Sequence, residues 1–136
     1  LGASYVINSM TENVHERLEE ITKGMGPDVV IEAVGSPATY QMAVEEVGFT
    51  GRVDCIGYAK SEVSFQTKLF VQKELDIRGS RNAQPSDFRA VVQYLQQGTC
   101  PVNKLISMEV APEDAEAAMQ KWTEAPGKVF RILVRF

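Results

Sequence analysis

With 136 residues, 44% of them hydrophobic and 24% charged, the chain has the composition of one soluble globular domain, or one domain and a piece of another. Its 14 basic and 18 acidic residues leave a net charge of −4, and the scattered Lys and Arg form no basic stripe, which argues against nucleic acid as a partner. No apolar run approaches the roughly 18 residues of a membrane span, and Cys55 and Cys100, in no metal-type spacing, fit a reducing, cytoplasmic compartment.

His15 is the only histidine, so a self-contained zinc site is not expected, and most Ser-His-Asp schemes are excluded unless His15 takes part. Leu1-Gly2-Ala3 reads as a helix end with its glycine stop, cut from something longer. Tyr5-Val6-Ile7 predicts a short strand within 4–8. Ser9-Met10-Thr11-Glu12 has capping-box spacing and predicts a helix with Val14, Leu18 and Ile21 as its buried stripe. His15, among Glu16, Arg17, Glu19 and Glu20, reads as a solvated surface residue. Gly24 and Gly26-Pro27 end that helix.

Asp28 to Val34 is an apolar, β-branched run that stops at Gly35 and is followed by Ser36-Pro37. It predicts a strand buried in a parallel sheet, a tight turn, and a helix capped by Ser36 with Pro37 at its first position. That helix carries Tyr40, Ala43, Val44 and Val47 on one face. Gly51 to Tyr58 is a third strand unit, whose Asp54 needs a partner because a buried carboxylate is costly alone. A short helix with Leu69, Phe70 and Val71 falls within 65–73, and Glu74 to Ser80 is a fourth strand. Strands alternating with helices at this rhythm mean βαβ units. The strands at 28–34, 51–57 and 75–79 end at Gly35, Gly57 and Gly79, which would line one edge of the sheet, where such sheets bind ligands.

Pro85-Ser86-Asp87 opens a helix with Phe88, Val91, Val92 and Leu95 as its apolar face, stopped at Gly98. A strand is expected over 105–110, and a helix after Pro112 whose Ala115, Ala118, Met119 and Trp122 read as core. The last strand alternates: Val129, Arg131, Leu133 and Arg135 face one way, Phe130, Ile132, Val134 and Phe136 the other.

Leu1 to Asn8, Asp28 to Gly35, Gly51-Arg52-Val53 with Ile56-Gly57, Ile77 to Ser80, and Gly127-Lys128-Val129 with Arg131 occur in the order and spacing of the medium-chain, zinc-type alcohol dehydrogenase superfamily. The chain resembles the C-terminal portion of that family, and most nearly its sorbitol, threonine and sugar-acid dehydrogenase branch. The resemblance implies a partial Rossmann doubly wound parallel sheet, strands 3–6, over residues 1–81, and a C-terminal segment of the catalytic domain over 82–136. The family's G-x-G-x-x-G turn, its catalytic zinc ligands and its four-cysteine lobe match nothing here; Gly24-Met25-Gly26 precedes a strand and is no fingerprint.

By residue match, the resemblance implies cofactor contacts at Val34 and Gly35, at Ile56, Gly57 and Tyr58 beside the nicotinamide, and at Ser80, Arg81 and Asn82 after the sixth strand. It implies a pyrophosphate contact at Arg131, suited to a fixed donor fork. The implied cofactor is NAD or NADP, with zinc held by upstream ligands, and the implied substrate is a small alcohol or ketone, polyol or sugar-derived. A homodimer or tetramer through strand 75–79 is also implied. In the Rossmann order 3-2-1-4-5-6, strand 3 here is parted from strand 4 by two strands the chain does not supply, so one edge of Asp28–Val34 should be unpaired. The chain alone should not turn over. Two other readings stand beside this one: a non-catalytic nucleotide-binding or oligomerisation module, and a zinc-free quinone-reductase relative.

Overall fold

The computed structural model describes residues 2–136, so the helix end expected at Leu1 lies outside the described residues. The chain divides into two compact units, one over Ala3–Asn82 and one containing Ala83–Phe136.

In the first unit, α1 (Val14–Thr22), β1 (Val29–Glu32), α2 (Pro37–Glu46), β2 (Arg52–Cys55), α3 (Lys68–Gln72) and β3 (Asp76–Gly79) follow in turn. The strands form a parallel sheet in the order β1-β2-β3, in register Val30–Val53–Ile77 and Glu32–Cys55–Gly79. One sheet face carries Val30 and Val53. It packs on α2, where Ala43, Val47 and Val53 are the buried core, joined by Cys55 and Leu75. Full burial of a valine contributes about 1.5–3 kcal/mol, so Val47 and Val53 anchor this unit.

In this unit three expectations need correction. Tyr5-Val6-Ile7 forms no strand, and Val6 is 83% exposed. A strand is stable only against a partner edge, and Tyr5-Val6-Ile7 pairs with none among the described residues; in the order 3-2-1-4-5-6 its neighbour is strand 2, not β1. The outer edge of β1 is unpaired, as the strand order required. The Ser9–Glu12 capping box does not form either. Asn8 takes the receiving role: its N–H donates to Glu12 Oε2 at 2.8 Å and its Oδ1 accepts from Met10 N–H at 3.0 Å, which makes a turn. Asn13 then caps α1, accepting from Glu16 N–H at 3.4 Å. Val14, Leu18 and Ile21 do form the half-buried side of α1.

The third correction concerns β1, which is buried on one face only. Val29 and Ile31 point to the open face, where Ile31 is 63% exposed. Arg52, Asp54, Asp76 and Arg78 share that face, with Arg52 opposite Asp76 and Asp54 opposite Arg78. Asp54 therefore has its partner: Arg52 Nε donates to its Oδ2 at 2.9 Å. Arg78 hydrogen-bonds Asp76 and, with the charge of Arg52, holds its carboxyl below the ordinary value. The short helix expected within 65–73 is α3, on which Val71 is 80% exposed and Leu69 and Phe70 are half-buried.

The second unit holds α4 (Pro85–Gln96), β4 (Ile106–Val110), α5 (Ala115–Glu124) and β5 (Arg131–Val134), with short 3-10 turns between them. β4 and β5 pair in parallel, with an irregularity between Ile106 and Met108. Ile132 is half-buried and Arg131 exposed, but burial does not alternate along the strand: Phe130, Val134 and Phe136 are exposed and Val129 is half-buried. Of the α5 stripe only Ala118 is buried; Met119 and Trp122 are exposed, against the expectation of core. Phe88, Val91, Val92 and Leu95 on α4 are exposed as well. Periodicity marks which face can bury, and a face buries only where another surface meets it.

Candidate functional site at the carboxyl ends of β1 and β2

β1 ends in Glu32, and the chain must then turn into α2. Gly35 turns it with φ +78°, a region L side chains avoid. Ser36 and Thr39 exchange bonds at the helix start: Thr39 N–H donates to Ser36 Oγ and Ser36 N–H to Thr39 Oγ1, each at 3.2 Å. With Pro37 in the first turn, this is the start expected of Ser36-Pro37.

The turn after β2 lies directly against it. Ile56 N–H and Gly57 N–H both donate to the Glu32 main-chain oxygen at 2.9 Å. A Cβ on Gly35 would stand 2.5 Å from the Tyr58 nitrogen, and one on Gly57 would collide with the Gly35 nitrogen and with Glu32 Oε2. Two backbones therefore touch here without side chains between them. The Tyr40 hydroxyl, from α2, donates to Gly57 O at 2.8 Å and pins the second turn. Gly79 differs: a Cβ there meets nothing within 4 Å.

Val34, Gly35, Ile56, Gly57 and Tyr58 are thus brought together at one sheet edge. Val34, Ile56 and Tyr58 are exposed, and Gly35 and Gly57 half-buried. Ser80 joins the same edge through its N–H, which donates to Cys55 O at 2.9 Å. Arg81 and Asn82 follow on the surface, Asn82 at φ +64°. Arg131 lies on β5 in the second unit, where its guanidinium donates to Phe130 O at 2.9 Å.

Glu32 is the residue that sequence reasoning passed over. It is 3% exposed, and its Oε1 accepts from Val34 N–H at 3.0 Å, Gly35 N–H at 2.8 Å and Thr39 Oγ1 at 2.7 Å. Its Oε2 is buried with no hydrogen-bond partner. Burial, the largest influence, pushes the carboxyl up, but the bonds from Thr39, Gly35 and Val34 outweigh it and hold it below its ordinary value. The signal was present: an acidic residue inside an apolar strand raises the same question as Asp54. Burial pushes the neighbouring Cys55 thiol up, so it stays protonated at neutral pH.

An apolar hollow of about 520 Å³ lies under the same sheet face, between Val53, Ile77, Phe65 and Phe70. Its Tyr40 hydroxyl is already bonded to Gly57, so it offers little to orient a ligand.

Parallel strands with helical crossovers, and glycine turns at their carboxyl ends, define an α/β sheet of the doubly wound class. The family model described as zinc-binding dehydrogenase matches residues 1–97, and the chain belongs to that family. It is 26% identical over 110 residues to a sorbitol dehydrogenase of Halalkalibacterium halodurans, covering 80% of this chain and 32% of that one. An alcohol dehydrogenase zinc-binding domain protein from Burkholderia ambifaria superposes with a TM-score of 0.86 at 25% identity, covering 99% of this chain and 37% of that one. A short chain alcohol dehydrogenase from E. coli CFT073, complexed with NADH, shares the fold, with a TM-score of 0.87 at 24% identity over 99% of this chain and 39% of that one. The chain thus spans about a third of each relative, and what it matches is their C-terminal part. No helix among the described residues is long and apolar enough to cross a membrane.

Proposed function

We propose that this chain forms the nicotinamide-side wall of the cofactor site in a zinc-type alcohol dehydrogenase. That enzyme would move a hydride between a secondary alcohol, polyol or sugar-derived, and NAD or NADP. The observation that carries the reading is the interlocked pair Gly35 and Gly57 at the carboxyl ends of adjacent parallel strands, flanked by exposed Val34, Ile56 and Tyr58. A sorbitol dehydrogenase among the relatives supports the substrate class, and the neighbour complexed with NADH supports the cofactor.

When bound, the nicotinamide supplies the hydride chemistry. Val34, Ile56 and Tyr58 would lie against its ring and exclude water. Ser80, Arg81 and Asn82 would border the same ring. No group of three or more His, Cys, Asp or Glu among the described residues fits a metal ion, so the zinc ligands are assigned to sequence outside these 136 residues and no step is routed through zinc here. The outer edge of β3, exposed along its length, is assigned to pairing with a second copy. Sedimentation should show a dimer that Ile77→Pro dissociates, and a monomeric parent would remove this assignment.

Titration of the 136-residue chain with millimolar NADH, followed in amide proton–nitrogen spectra, tests the wall. The amides of Val34, Gly35, Ile56, Gly57, Tyr58 and Ser80 should move together. Shifts confined to other residues, or none, would overturn the reading.

A further inference from the structure

The outer edge of β3 is laid out for pairing. Asp76 N–H and Ser80 N–H donate inward, to Gly51 O at 3.1 Å and Cys55 O at 2.9 Å. Hydrogen-bonding direction alternates along a strand, so Ile77 and Gly79 turn their N–H and C=O groups outward, where no strand meets them among the described residues. Side chains alternate as well. Asp76 and Arg78 stand on the open face of the sheet. Ile77, 43% exposed, stands on the other, where it lines the apolar hollow with Leu75 and Phe70. On the open face the charges already run in rows across two strands: Arg52 lies opposite Asp76, and Asp54 lies opposite Arg78. Each row ends at the β3 edge in a charge with no strand beyond it among the described residues.

We propose that Asp76 and Arg78 fix the register in which two copies of this chain join edge to edge, with the two-fold axis at Ile77 and each Asp76 opposite the partner's Arg78. The proposal rests on the assignment of the β3 edge to a second copy; the register is decided by the charges. A two-fold axis through a sheet pairs its edge strands antiparallel and sets each residue against one on the same face. The axis can then pass through any one residue of β3. At Asp76 it sets that carboxylate against the partner's Asp76, and at Arg78 it sets two guanidinium groups together; like charges directly opposite repel. At Gly79 it gives neither charge a counter-charge. Glu74, at φ +53°, lies off the strand and does not extend the row. With the axis at Ile77 each row alternates throughout: Arg52, Asp76, the partner's Arg78, the partner's Asp54. Ile77 N–H then donates to the partner's Ile77 O, and the reverse. The charged pairs fall at the closer, non-hydrogen-bonded sites, about 4.5 Å between Cα atoms. On the other face each Ile77 is covered by its copy.

Sedimentation equilibrium and a cross-link read the two parts separately. The parent should dimerise, and Ile77→Pro, which removes an outward N–H, should leave monomers. If the parent is monomeric, or Ile77→Pro keeps the dimer, the edge assignment falls and takes the register with it. With the edge standing, Asp76→Arg and Arg78→Asp should each weaken the dimer about tenfold or more, because each turns two attractive pairs into two repulsive ones. An equimolar mixture of the two variants should recover the parent's affinity, since unlike charges then face each other in both pairs. Unchanged affinity in both variants leaves the edge and overturns the register. Ile77→Cys keeps the charges and reads the axis directly. Its thiols would face each other about 5.5 Å apart at Cα, within disulfide reach. Mild oxidation should give a covalent dimer that the parent, with only Cys55 and Cys100, does not form. A non-covalent dimer without this cross-link overturns the proposal, and should a charge variant fail to fold, the cross-link decides alone.

Discussion

Two ends of one sheet look alike in the sequence and differ in the structure. β1 and β2 finish in turns whose glycines, Gly35 and Gly57, leave backbone against backbone, with Glu32 and Tyr40 bonding the two turns together. β3 finishes in Gly79, with open space where a side chain would stand. The same residue type serves a close approach in two places and nothing visible in the third. A glycine that ends a strand is thus informative only once its surroundings are known.

Alanine substitutions break this comparison most directly. Gly57→Ala drives a Cβ into Glu32 Oε2 and the Gly35 nitrogen, and neither can retreat without opening the turn. It should destabilise the first unit by about 3 kcal/mol or more, as measured by denaturant unfolding. Gly35→Ala combines a crowded Cβ with a positive φ, which alone costs roughly 1–2 kcal/mol, and should lose about 2–3 kcal/mol in the same measurement.

A smaller effect sits at the far end of α2. His15 Nδ1 lies 3.0 Å from Glu46 Oε2 and its Nε2 lies 3.7 Å from Glu19, which ties α1 to α2. The hydrogen bond to Glu46, with the charges of Glu46, Glu19 and Glu16, raises the imidazole pKa. A raised pKa stabilises the protonated folded form. The contribution is therefore fully present below the ordinary histidine value of about 6.5, and it is lost as pH rises through the folded value. His15→Ala should lower the melting temperature slightly at pH 5.5, and the gap to the parent should close by pH 8.5. A gap independent of pH would mean that packing, not charge, joins the helices. Gly79→Ala should have the least effect, within about 0.5 kcal/mol of the parent, by the same unfolding measurement. A large loss there would erase the distinction between the strand ends.

The local chemistry was legible because it acts within a few residues. Ser36 and Pro37 announce a helix start through capping and a fixed φ, and the order of strands and helices follows from apolar runs parted by glycine and proline. What misled was hydrophobicity read as burial. Asp28 to Val34 looks like a strand covered on both faces, yet Ile31 is open and Glu32 is the buried residue. Among the described residues, Tyr5-Val6-Ile7 has strand composition but pairs with no strand, and the α4 face of Phe88 and Val91 is exposed.

The sequence by itself determined the rhythm of the fold, the turn at Gly35 and the membership of Val34, Gly35, Ile56, Gly57 and Tyr58 in one sheet edge, because parallel strands bring their carboxyl ends together. Only the tertiary structure decided which glycines are locked, which face of β1 is inside, and that Glu32 gathers the donors of the first turn while its own carbonyl holds the second. A hydrogen-bond donor finds its acceptor across space, and its position along the chain does not name that acceptor.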